Sequence, residues 1–331
     1  MPSMTILELF GDDSESEEPT TLPCDRCNDE TAVTDLVDGE CINCRSCAGC
    51  GEPEQYDDGL CLSCFREDHG SEDLYNYHDV DVIGVHGWPQ QSSRAALLFG
   101  VELEMESRGL YLPPLLGGRD GGMANEGQYI LMEDGSLDST GVELITCPYT
   151  LEFHQGLFGW DKLLKGVATA AKSGAGTDRC GMHVHVSRRV ISALTLGKAL
   201  VFVNSDRNSL FIETIAQRDS QRYARRHKKK ISDGRERETA KYEALHLTSR
   251  TVEFRIFRGN LRPDRVLKNI EFCHSVIKYA AQASNIAVET HTDYLAWLTK
   301  NRSTYPNLCA FLTEKGYSVG VRSPKSLSKE I

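Results

Sequence analysis

Residues 97–106 read Leu97-Leu98-Phe99-Gly100-Val101-Glu102-Leu103-Glu104-Met105-Glu106. From Val101 onward apolar and acidic residues alternate, which is the pattern of a β-strand with one face in a core. Val101, Leu103 and Met105 then share one face, and Glu102, Glu104 and Glu106 share the other. Three carboxylates in a row repel one another, and folding alone gives no reason for them. A solvated outer face would tolerate such a run. A divalent cation would require it, because hard ions take oxygen ligands.

Three later stretches repeat the pattern. Gly141-Val142-Glu143-Leu144-Ile145-Thr146 sets one carboxylate among apolar residues. Cys180–Ser187 places His183, His185 and Ser187 on one face, with Val184 and Val186 on the other. Thr251–Arg258 places Glu253 and Arg255 together, opposite Val252, Phe254 and Ile256. Tyr129–Met132 reads as a further strand, leading into the turn Glu133-Asp134-Gly135-Ser136-Leu137. The economical arrangement is an α+β fold: one antiparallel sheet with a concave polar face and helices over its apolar face. Helices are expected over 153–173, over 190–217 with a break near Asn204, from Pro263 onward, and over 292–301 and 305–315. Pro263 near N1 and Asp264 in the first turn mark the start of the third. The polar face would gather Glu102, Glu104, Glu143, His183, His185, Glu253 and Arg255. Carboxylates with a histidine suit Mg²⁺ or Mn²⁺ better than zinc, and Arg255 suits phosphate. Metal, carboxylate and phosphate together indicate nucleotide chemistry. The Pro- and Gly-rich stretch 111–125 reads as a substrate lid. The basic stretch 218–241 reads either as a solvated segment or as a phosphate-facing flap, disordered until nucleotide binds.

The chain has 331 residues, 40% of them hydrophobic, which allows about two domains with an ordinary core. Its net charge of −11 argues against a general nucleic-acid binder. No apolar run is long enough for a membrane span, and no signal peptide is evident, so a cytoplasmic location with reduced thiols is expected. Twelve cysteines in that compartment indicate metal binding rather than disulfides. Eight form pairs: Cys24/Cys27, Cys41/Cys44, Cys47/Cys50 and Cys61/Cys64. Each pair can point two thiolates at one ion, so four pairs make two closed, structural Zn²⁺ sites. Sequential pairing gives tandem zinc ribbons, each half repeating a Cys pair, an Asp-Gly and a second pair. A cross-braced pairing and an iron–sulfur cluster are the alternatives. The expected domains are an acidic disordered tail (1–22), the zinc module (23–70), a linker (71–94) and the main domain (95–331). Residues 1–73 carry about twenty Asp and Glu against three Arg, so a protein partner suits the module better than nucleic acid.

The main domain resembles the amidoligase family, which shares its fold with glutamine synthetase and glutamate–cysteine ligase. The resemblance covers about residues 97–280. It rests on Phe99-Gly-Val-Glu-Leu-Glu104, on Glu133-Asp-Gly-Ser136 leading to Gly141-Val-Glu-Leu144, on Gly181-Met-His-Val-His-Val-Ser187 and on Val252-Glu-Phe-Arg255. It implies an ATP-dependent carboxylate–amine ligase that forms an amide or peptide bond through an acyl phosphate, with two Mg²⁺ ions. By that likeness Glu104 and Glu143, with Asp134 or Glu133, would hold one ion, and Glu102, His183 and Glu253 the other. His185 and Ser187 would face the nucleotide, Arg255 the transferred phosphoryl group, and Arg258 would bind ATP alongside it. The substrates would be a carboxylate and an amine, either of which could belong to a peptide or protein. Two rival readings stand beside it. One is a zinc-ribbon adaptor whose sheet domain is inactive. The other is a metallohydrolase built on His183 and His185.

Overall fold

The computed structural model describes residues 96–117, 129–137, 140–174, 179–218 and 224–319, four short strands before them, and Leu74. The chain divides into two compact units, Met1–Phe65 and Arg66–Ile331.

In the first unit β1 (Thr21–Pro23) pairs antiparallel with β2 (Glu30–Ala32), and β3 (Leu36–Val37) with β4 (Glu40–Cys41). Thr21 and Leu22, expected in the tail, belong to β1. The remainder of the tail lies outside the described residues, as do Cys24, Cys27, Cys44, Cys47, Cys50, Cys61 and Cys64. Cys41 is described as backbone only. The expected linker 71–94 is described only at Leu74, which is buried.

The second unit is built on a sheet of seven antiparallel strands. They are β5 (Phe99–Ser107), β6 (Tyr129–Met132), β7 (Val142–Thr146), β8 (Ala171–Lys172), β9 (Gly181–Ser187), β10 (Leu245–Leu247) and β11 (Thr251–Arg258). Their order is β10-β11-β9-β5-β7-β6, with β8 pairing the end of β5. Eight helices accompany the sheet among the described residues: α1 (Leu112–Leu115), α2 (Leu151–Gly156), α3 (Trp160–Val167), α4 (Ala193–Asn204), α5 (Ser209–Ala216), α6 (Pro263–Gln282), α7 (His291–Lys300) and α8 (Pro306–Glu314). This is the α+β class. None of these helices is long and apolar enough to cross a membrane.

The alternation of β5 is realised face by face. Val101, Leu103 and Met105 are fully buried beside Met182, Val184 and Val186 of β9 and Val252, Phe254 and Ile256 of β11. Each such side chain removed from water contributes about 1.5–3 kcal/mol. α6 covers this face. Its Asn269 donates to Met182 Sδ at 3.1 Å, and its Phe272 meets Phe257 edge-on at 6.1 Å. From α2, His154 Nε2 lies 2.8 Å from the carbonyl of Phe99.

Two expectations need correction, and an open one is narrowed. The single helix over 153–173 is two helices, because Gly159 adopts φ +77 between α2 and α3. The end of that stretch, Ala171–Lys172, is a strand that pairs Ser107 and Glu106. The front of the expected lid, 111–117, is α1 and its flanks, with Tyr111, Leu112 and Leu116 in the core; residues 118–125 lie outside the described set. For the basic stretch, read as either a solvated segment or a flap, residues 219–223 are not described, and Arg225, Lys228, Lys230, Arg235, Arg237 and Lys241 are exposed, which fits the solvated reading. A 3₁₀ turn, Ile231–Arg235, sits on α4 so closely that a Cβ on Gly197 would lie 1.9 Å from the Ile231 carbonyl oxygen. Arg226 pairs with Glu213 at 2.5 Å, and Lys229 with Glu243 at 2.7 Å.

Candidate active site: an acid–imidazole face

The register of the sheet brings the singled-out residues together. Across β5 and β9, Glu102 stands opposite His183; across β5 and β7, Glu104 stands opposite Glu143; across β9 and β11, His185 stands opposite Glu253. Opposed residues on one face have their Cβ atoms about 5 Å apart, so these side chains must meet.

Glu102 is the hub. Its Oε2 lies 3.0 Å from His183 Nδ1 and its Oε1 lies 2.8 Å from His185 Nε2. Glu253 Oε1 is 3.6 Å from His183 Nδ1 and 3.9 Å from His185 Nε2, and it also accepts from Arg255. Glu104 Oε2 accepts the Gly181 N–H at 2.5 Å, and its Oε1 lies 3.9 Å from His183 Nε2. Asp134 caps its own turn by accepting the Ser136 N–H at 2.7 Å, and also reaches Glu104 and Glu143.

Three groups here have ligand atoms within 4.8 Å of one another: Glu104, Asp134 and Glu143; Glu102, Glu143 and His183; Glu102, His185 and Glu253. The first is the set that the resemblance implied for one ion. The set implied for the other, Glu102, His183 and Glu253, is divided between the remaining two groups. His185, implied at the nucleotide, lies by Glu102 and Glu253 and also lines the neighbouring cleft. Glu106 belongs to none of the groups; it pairs with Lys172 of β8 at 3.5 Å.

Electrostatics set the members apart. Burial works against the charge of Glu102, but the field of His185 and hydrogen bonds from both imidazoles hold its carboxyl well below the usual range. Burial also disfavours a charged His185, yet Glu102 and then Glu253 raise it to about 9. Glu104 is pushed up by burial, against the pull of His183 and of the Gly181 N–H. Glu143 is pushed well above the ordinary range, first by burial and then by the charges of Glu102, Glu104, Asp134 and Glu253. The face therefore holds more carboxylate than it can ionise without a cation. Oxygen donors in this number, with two imidazoles, fit a divalent ion of the Mg²⁺ or Mn²⁺ type.

Ser187 Oγ accepts the Leu98 N–H at 3.0 Å, at the entrance to β5. Arg258 donates to the Gly174 carbonyl at 2.6 Å and braces the turn after β8. One contributor was not singled out from sequence. α5 ends at Gln217 in the left-handed region, φ +59, and the next residue, Arg218, turns back to the sheet. It donates to the Arg255 carbonyl at 2.8 Å, and its charge reaches Glu104. Among the described residues, the Nε of Arg218 and the Nε of Arg255 are buried with no hydrogen-bond partner. No signal in the sequence separates Arg218 from the other basic residues of 218–241.

Beside this face opens a cleft of about 940 Å³. Glu102 and His185 line it, Leu98, Ile145, Ile191 and Leu196 form apolar wall, and Arg188, Arg189, Arg235 and Arg250 line it as well. Its size is at the upper end for sites that take organic ligands.

No family model matches the chain, and a search of curated proteins finds no match to it.

Proposed function

We propose that this chain is an ATP-dependent carboxylate–amine ligase of glutamine synthetase-like fold. One observation carries the reading. Glu102, Glu104, Glu143, Asp134, His183 and Glu253, drawn from β5, β7, β9, β11 and one turn, converge on a single sheet face next to arginines with unsatisfied donors.

A carboxylate is a poor electrophile, and phosphorylation supplies it with a leaving group. Its oxygen attacks the γ-phosphorus of ATP, the bond to ADP breaks, and an acyl phosphate forms. The amine nitrogen then attacks the acyl carbon, the C–O bond breaks, phosphate leaves, and the nitrogen loses a proton. Bound Mg²⁺ would neutralise phosphate charge and bring the anions together. Glu104, Asp134 and Glu143 would hold one ion through oxygen alone. Glu102 and Glu253, with His183 or His185, would hold a second. Arg255, fixed by Glu253, would face the transferred group, and Arg218 would add charge from the Glu104 side. Holding reactants in line and stabilising developing charge is most of what such a reaction needs.

The test is ADP and phosphate release that requires both an acid and an amine, together with calorimetric binding of Mg-ATP to the whole chain. Release with ATP and water alone, or no binding of Mg-ATP, would count against it. A second reading draws on the two imidazoles lying by Glu102 and Glu253: a metal-dependent hydrolase. It requires tightly held metal beyond the two zinc equivalents expected in the cysteine module, which elemental analysis would reveal.

A further inference from the structure

The cleft is lined by four arginines, Arg188, Arg189, Arg235 and Arg250. Arg189 follows β9, Arg235 ends the 3₁₀ turn and Arg250 sits in the β10–β11 turn. All three are exposed, and among the described residues none of them meets a carboxylate. Several arginines elsewhere do: Arg207 with Glu289, Arg226 with Glu213, Arg262 with Asp264 and Arg265 with Glu314. Acids are not scarce in a chain with 48 Asp and Glu against 37 Lys and Arg. The backbone that carries these three charges is held in place around the cleft.

Arg188 does the holding. Its guanidinium donates to the carbonyls of Arg237 at 2.7 Å and Thr248 at 2.9 Å, and to that of Glu236. It thereby ties the segment after Arg235 and the segment before Arg250 to its own neighbour, Arg189. The close approach of Gly234 to Gly197, where a Cβ on Gly234 would lie 2.4 Å from the Gly197 nitrogen, seats Arg235 against the start of α4. The rim is a built feature, braced by Arg188, which lines the cleft with the other three.

We infer that the acid substrate is an extended, carboxylate-rich peptide lying in this cleft, an inference that rests on the ligase reading. Its reacting carboxyl would stand beside Glu102 and His185, and its neighbouring carboxylates would meet Arg189, Arg235 and Arg250. A nucleotide answers the rim poorly. Its charge is confined to the phosphates, which belong with the cations over the acid–imidazole face, and its neutral base and sugar would leave three guanidinium groups uncompensated. The planar forks of arginine suit carboxylates, which they bind through two parallel hydrogen bonds. The apolar wall suits the methylene stems of glutamate side chains.

The experiment is calorimetry on the whole chain with hexaglutamate as probe, and separately with Mg-ATP. Wild type is compared with the triple variant Arg189→Gln, Arg235→Gln, Arg250→Gln. All three positions are exposed, so the variant should fold, which circular dichroism checks. Hexaglutamate should bind the wild type, weaken as salt is raised, and bind the variant at least tenfold less tightly, while the Mg-ATP affinity stays within twofold. Equal binding of hexaglutamate to both proteins, or none to the wild type, overturns the inference and leaves the ligase reading standing if Mg-ATP binds. A tenfold loss of Mg-ATP affinity in the variant would assign the cleft to the nucleotide instead. Failure of Mg-ATP to bind the wild type would strike the ligase reading itself.

Discussion

Replacing Glu143 by Gln should make the cation-free protein more stable. Glu143 stands opposite Glu104 in the β5–β7 register and shares a 4.8 Å group with Glu104 and Asp134. At that separation, with an effective dielectric of about 20, each ionised pair would cost about 3.5 kcal/mol. The folded chain escapes much of this by keeping Glu143 protonated, since burial and four neighbouring carboxylates raise its carboxyl well above the ordinary range. The unfolded chain ionises the same group at about pH 4.3. Between those two values the folded state holds a proton that the unfolded state has released, so stability falls as pH rises. Glutamine keeps the shape and removes the penalty. A gain of about 1–2 kcal/mol at pH 8 is expected, shrinking toward zero by about pH 4. For a domain of this size that is a rise in Tm of about 2–8 °C. Scanning fluorimetry without added Mg²⁺, from pH 4 to 8, measures it. Added Mg²⁺ should then stabilise the wild type more than the variant, because the ion takes the place of the proton. A lower Tm for the variant at pH 8, or equal stabilisation of both proteins by Mg²⁺, would refute the reasoning.

Glu104→Gln should lower turnover by about 10²-fold or more while circular dichroism stays unchanged; near-normal turnover would remove Glu104 from the ion site. Arg255→Lys keeps the charge but loses the planar fork, so Mg-ATP affinity by calorimetry should fall about tenfold, and an unchanged affinity would place the phosphates elsewhere. Lys268 is buried in α6, donates to the Ile215 carbonyl at 2.6 Å, and is lowered to about 7, chiefly by burial. Above that value the folded chain holds fewer protons than the unfolded one, so stability should climb from pH 7 to 10 by at most about 5 kcal/mol. Urea titration should show that climb flattened in Lys268→Met, and equal slopes for the two proteins would disprove it.

The sheet was legible because its strands carry two kinds of residue in strict alternation. β5, β9 and β11 announce themselves by apolar residues at every second place, and the intervening Glu and His mark the other face. Which of those residues meet was not legible. Glu102 lies by both imidazoles only because β5 and β9 pair in one register, and Glu106, in the same run, is drawn away by Lys172 of β8. β8 itself was hidden, since Ala171-Lys172 continues an amphipathic pattern that Gly159 interrupts only through its backbone. Tyr111 and Leu116 enter the core from a stretch whose prolines and glycines suggested a lid. Arg218 reaches the site through a left-handed turn at Gln217, and composition carries no trace of that turn.

The most direct measurement is a crystal structure of the whole chain with Mn²⁺ and a non-hydrolysable ATP analogue, read by anomalous scattering from manganese. Peaks between Glu104, Asp134 and Glu143 and beside Glu102 and Glu253, with the γ-phosphate against Arg255, are expected. Manganese or nucleotide bound away from this sheet face, or a face that stays empty at saturating ligand, would contradict it.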